Sequence, residues 1–152
     1  MHFADSLALV AIDLNLKADS PIEVLEALVR LASKSHPFAA PNQIVSVLIE
    51  RENLSTTGIG GGIAVPHCKT EQADRLIMAF GRAPGGVEFK ALDQKPVQLF
   101  FLLLAPIEAA NTHLKALAKI ARFAKDSAVI DSLLNLESPQ AVHQFLAEQS
   151  KG

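Results

Sequence analysis

Residues Leu99 to Ala105 are apolar without interruption, seven in a row between Gln98 and Pro106. Strand side chains alternate between two faces, so a strand of this composition needs apolar cover on both sides of its sheet. Seven residues fall far short of the ~18 or more that a membrane-spanning helix requires. The run, extended back to Val97, therefore predicts a buried strand over Val97 to Leu104. Leu76 to Phe80 and Leu7 to Ile12 are shorter runs of the same kind, the latter closed by Asp13.

Helices supply the cover. Ser20-Pro21-Ile22-Glu23 combines a capping side chain, a proline at the first helical position and the glutamate of a capping box. Ile22, Leu25, Val29 and Ala32 continue at helical spacing, which predicts a helix to about Lys34. A second helix is expected from Pro41 to Glu52, poorly capped because Ala40 precedes it. Asn111-Thr112 caps a third through Lys125, and Ser127 and Ser138-Pro139 begin two more. Arg82 to Pro96, with Pro84-Gly85-Gly86, reads as a turn-rich hairpin. Strands interleaved with helices imply an α/β fold, a three-layer sandwich with helices on both faces of the sheet.

The 152 residues suit a single domain spanning 1–152. Lys+Arg number 14 against 16 Asp+Glu, which leaves no basic excess for a nucleic-acid partner. One cysteine, Cys68, excludes an internal disulfide framework and any multi-cysteine metal or iron–sulfur centre. The N-terminal Met-His-Phe-Ala-Asp lacks the basic and apolar regions of a signal peptide. A cytoplasmic protein with no membrane insertion, no metal and no cofactor is expected.

Four of the five residues from Gly58 to Gly62 are glycine. No Gly-Lys-Ser/Thr follows them, and a helix rather than a strand precedes them, so neither nucleotide-loop pattern is met. Two readings remain: a tight surface turn, or a backbone cradle whose N–H groups bind an anion. Five residues on stands His67, behind Pro66, which restricts the backbone that aims it. Neutral imidazole beside an anion-friendly loop suits nucleophilic phosphoryl transfer. Taken alone, a histidine at a loop–strand junction is more often structural. His67-Cys68 is a weak metal pair, since no further ligand has suitable spacing.

Two residues strengthen the chemical reading. His113 falls in the first turn of the third helix, where the helix end attracts anions and disfavours imidazolium. Its bland alternative is a solvated helix-start residue. Arg51, just before the glycine segment, could neutralise transferred charge, or simply be an exposed arginine at a helix end. His2, His36 and His143 lack comparable context and read as surface residues.

Arg51-Glu52-Asn53-Leu54, Ser55-Thr56-Thr57-Gly58-Ile59-Gly60 and Gly62-Ile63-Ala64-Val65-Pro66-His67 together resemble the signature of fructose/mannitol-type enzyme IIA domains of the phosphoenolpyruvate-dependent phosphotransferase system. Asn111-Thr112-His113-Leu114 with Leu117-Ala118 resembles that family's second-histidine helix, and the likeness runs over about residues 5–148. The resemblance implies a mixed β-sheet between helices. It implies that His67 accepts a phosphoryl group from an HPr-type phosphocarrier protein. His113 would support it, Arg51 would be the nearby cation, and Thr57 and Gly58 would be phosphoryl-binding. Gly61 departs from relatives that often carry Asn or a charged residue, and Cys68 stands where a small residue is common.

The resemblance further implies little covalent apparatus: in-line attack by His67, with glycine-loop N–H groups and His113 on the equatorial oxygens. The carrier would dock over an apolar rim. The chain ends soon after the second-histidine region, and Gly81 to Phe89 most resembles the free-standing nitrogen-regulatory branch, which passes its state to a downstream regulatory protein. A sugar-specific enzyme IIA serving a IIB domain is the alternative. A non-phosphorylated binding module on the same fold is a third reading.

Overall fold

The computed structural model describes residues 3–108 and 112–149. A short 3-10 turn, Phe3–Ser6, leads into β1 (Leu7–Asp13), followed by α1 (Pro21–Ser35) and α2 (Pro41–Leu54). Three short strands come next: β2 (Gly58–Gly60), β3 (Ile63–Ala64) and β4 (His67–Lys69). Two long ones follow, β5 (Ile77–Val87) and β6 (Val97–Ala105). The chain closes with α3 (Thr112–Phe123), α4 (Ser127–Asn135) and α5 (Pro139–Gln149).

The sheet order is β1-β5-β6-β3-β2, and β4 pairs with β6 as well. It is mixed: β5 and β6 are antiparallel, whereas β1 on β5, and β3 and β4 on β6, are parallel. The apolar run sits at the centre, and Leu99 to Leu104 have no exposed surface. Helices cover both faces, as successive residues of β5 show. A Cβ on Gly81 would lie 3.0 Å from Leu16 and 3.2 Å from Leu28 of α1. Arg82, pointing the other way, donates to the Leu133 and Leu136 carbonyls at the end of α4. Edge-to-face pairs Phe80–Phe101 and Phe89–Phe100, with centroids 5.0 and 5.4 Å apart, lock the central strands.

The helix starts follow their sequence signals. Ser20 Oγ accepts the Glu23 N–H, and Glu23 reaches back to the Asp19 N–H and the Ser20 hydroxyl. Ala40 offers α2 no side-chain cap. Its backbone instead binds Gln72, which accepts from the Ala40 N–H and donates to the Ala40 carbonyl. The start of α4 is capped by Asp126, one residue before the expected Ser127. Asn111, the expected cap of α3, lies outside the described residues.

The turn-rich hairpin is shorter than expected. Strand β5 continues to Val87, which pairs with Val97, and the register shifts between Arg82 and Val87. Pro84-Gly85-Gly86 therefore forms a bulge in a strand rather than a hairpin turn, because β-pairing resumes beyond it. The reversal lies at residues 88–96, where Lys90 and Gln94 have positive φ.

Candidate functional site

Strands β3 and β4 lie end to end along one edge of β6, separated by Val65-Pro66. Ile63 pairs with Leu99 and Ala64 with Phe100, while His67 pairs with Leu103. Proline has no N–H for this ladder, so pairing breaks at Pro66, whose carbonyl still accepts the Leu103 N–H. His67 is thereby held on a rigid strand at the Ala105 end of β6. Its Nδ1 lies 2.7 Å from the Val65 carbonyl. A carbonyl only accepts, so Nδ1 carries the proton and Nε2 the lone pair.

His113, in the first turn of α3, lies beside it, with ring centroids 6.5 Å apart and planes inclined by 29°. The His113 Nδ1 is buried and has no hydrogen-bond partner among the described residues. Arg51, in the last turn of α2, donates through Nη1 to the Ser55 carbonyl and hydroxyl. Burial is the main influence holding the His67 pKa below the usual histidine value. The Val65 carbonyl opposes this, the Arg51 and His113 charges lower the pKa further, and Glu52 acts to raise it. His67 is thus neutral at physiological pH. The adjacent Cys68 thiol is pushed up to about 11 by burial, which leaves it protonated and inert.

The structure brings His67, His113 and Arg51 to one place and puts the glycine turn elsewhere. Gly60, Gly61 and Gly62 have positive φ and make the tight turn between β2 and β3. The Gly62 carbonyl accepts from Gln98 and Leu99, whereas His67 pairs with Leu103. At ~3.3 Å per residue the turn lies about 15 Å along the sheet from the imidazole. The Gly61 N–H is bound by Asp93, and a Cβ there would stand 2.6 Å from the Ala124 carbonyl. The departure at Gly61 thus has a packing cause in this chain.

The anion-cradle expectation requires a similar correction at Thr57 and Gly58. Thr57 donates both its N–H (2.7 Å) and its hydroxyl (2.6 Å) to the Glu52 carboxylate. The Gly58 N–H is held by Thr56 Oγ1. These donors are engaged inside the protein and not presented to an anion. Gly58 is glycine for a steric reason, because a Cβ would lie 2.8 Å from the Ala91 side chain.

Two histidines read as surface residues are in fact partly buried tethers. His36 donates to Asp74, joining the end of α1 to the segment before β5, and stacks near Phe38. His143 of α5 donates to the Ala4 carbonyl. His2 lies outside the described residues. Sequence reasoning missed Glu52 as a site residue. Its contact with Thr57 forms only after the helix has ended, at a spacing that no helical periodicity marks.

The model of the phosphoenolpyruvate-dependent sugar phosphotransferase system EIIA 2 family matches residues 7–149. A nitrogen regulatory protein from Bradyrhizobium diazoefficiens is 38% identical over 149 residues, 97% of this chain and 95% of that protein. The crystal structure of nitrogen regulatory protein IIA-Ntr from Neisseria meningitidis superposes with a TM-score of 0.87 at 31% identity, covering 94% of this chain and 97% of that one. The mannitol enzyme IIA from Escherichia coli, solved in complex with phosphorylated enzyme IIB, superposes with a TM-score of 0.77 at 25% identity over 93% of this chain and 96% of that one. With its family model matched from the first strand to the last helix, the chain belongs to the phosphotransferase-system EIIA 2 family.

Proposed function

We propose that this protein accepts a phosphoryl group on Nε2 of His67 from an HPr-type phosphocarrier and acts in the cytoplasm as a nitrogen-related regulatory enzyme IIA. The observation that carries the reading is the fixed state of His67: a neutral ring with its proton tied to Val65, beside a second imidazole whose buried Nδ1 has no partner among the described residues. A buried imidazole nitrogen with no internal partner can take one from outside, and beside the His67 ring a phosphoryl oxygen is a fitting one.

In the transfer, the Nε2 lone pair attacks phosphorus in line while the bond from phosphorus to the carrier breaks. The proton stays on Nδ1, donated to the Val65 carbonyl. His113 and the positive end of α3 stabilise the equatorial oxygens, and Arg51 offsets their charge. Thr57 and Gly58 contribute by shaping the wall, not by donating. Exposed apolar side chains border the site: Val47 and Leu54 lie on the Arg51 face of α2, and Leu114 (52% exposed) follows His113. Such a rim suits a brief protein–protein contact at the small end of the size range.

Incubation with phosphoenolpyruvate, enzyme I and a cognate phosphocarrier, followed by intact mass, tests the proposal. One added phosphoryl group, lost in His67→Ala, is the expected result. No mass change with any cognate carrier would sink it and favour a binding module acting by contact alone. The second reading, a sugar-specific enzyme IIA serving a IIB domain, draws on the likeness to the mannitol enzyme solved with phosphorylated IIB. Transfer from phosphorylated protein to a IIB domain distinguishes the two.

A further inference from the structure

The residues that fix His67 form a continuous chain of hydrogen bonds starting on α2. Among the described residues Thr57 alone is a buried polar or charged residue, 3% exposed. The Glu52 carboxylate accepts from both of its donors, one oxygen for each. The Thr57 carbonyl then accepts the Val65 N–H at 2.9 Å. The Val65 carbonyl in turn holds the His67 Nδ1 proton at 2.7 Å. Two backbone bonds thus anchor the chain just before the histidine: Val65 to Thr57 on the β2 side, and the Pro66 carbonyl to the Leu103 N–H on the β6 side, where proline itself cannot donate.

We propose that Glu52 is a positioning residue for His67. By gripping Thr57 it fixes the backbone that presents the Val65 carbonyl, and so keeps the imidazole proton on Nδ1 and the lone pair on Nε2. Glu52 sits beside Arg51 at the end of α2, which makes one helix end supply both the cation and the brace. The kinetic part of the proposal rests on His67 being the phosphoryl acceptor; the tautomer part does not.

The test is nitrogen-15 NMR of His67 in the full chain, together with the rate of phosphoryl uptake from the carrier. In Glu52→Ala both ring tautomers become populated, and uptake slows roughly 10- to 100-fold from misorientation. Glu52→Gln behaves like the parent, because the amide oxygen can accept the Thr57 N–H and the amide N–H can donate to the hydroxyl. If the alanine variant does not fold, Glu52→Asp takes its place, keeping the charge but shortening the reach. A single Nδ1-protonated tautomer in the alanine or aspartate variant would overturn the proposal, as would a glutamine variant as impaired as alanine. A tautomer change in a chain that takes no phosphoryl group would uphold the brace and reject the phosphoryl relay.

Discussion

The two ends of the β3–β4 edge carry neighbouring parts of one sequence signature, yet they are built on opposite plans. At the Val97 end, the glycine turn is closed on itself: Asp93 holds the Gly61 N–H, and the Gly62 carbonyl takes two N–H groups of β6. At the Ala105 end, the His67 ring is held through Nδ1, and His113 Nδ1 has no partner among the described residues. One end spends its polar groups on its own geometry; the other keeps some in reserve. Substitutions at the glycine end should therefore lower stability without touching transfer, and substitutions at the histidine end should do the reverse.

The largest effect is expected at His67. His67→Ala should abolish phosphoryl uptake while leaving the melting temperature nearly unchanged, read by intact mass and calorimetry. A large loss of stability would mean that the two ends are not functionally separate. Next comes His113→Ala, which removes one oriented group and should slow uptake by about 10- to 1000-fold. An unchanged rate would return His113 to an ordinary helix-start residue.

At the other end, Gly61→Val places a Cβ against the Ala124 carbonyl at positive φ. Strain and overpacking together should cost about 2–4 kcal/mol, on the order of 5–15 °C in melting temperature for a chain this size. Uptake by the folded fraction should stay at the parent rate, and a fall in that rate would tie the turn to the chemistry after all.

The smallest effect is in pH dependence. The folded His67 pKa lies below its unfolded value of about 6.5. Between the two, the unfolded chain binds more protons than the folded one, so stability falls as pH drops through that window. His67→Ala should flatten this part of the stability curve. Uptake should also persist below pH ~6.5, where an ordinary histidine would already be half protonated. A His67 titration midpoint at or above that value would contradict the burial account.

Much of this was legible in the residues themselves. The unbroken run of β6 called for cover on both faces, and Ser20-Pro21-Glu23 marked the start of α1, because both signals are local. The position of the glycine turn was not legible. Ile63 and Ala64 carry the chain along the sheet, away from the turn, and adjacency in sequence does not reveal that direction. Pro84-Gly85-Gly86 misled for a related reason: the composition of a bulge and of a turn is the same, and only the resumed pairing at Val87 separates them. Glu52 was hidden because its partner Thr57 lies beyond the helix end, where periodicity gives no guide.

The central claim is that His67 is a neutral nucleophile presenting Nε2, and the phosphorylated protein tests it most directly. Nitrogen-15 NMR with phosphorus coupling, recorded after uptake from the carrier, should place phosphorus on Nε2 of His67 with the proton retained on Nδ1. Phosphorus on Nδ1, or on any residue other than His67, would contradict the account.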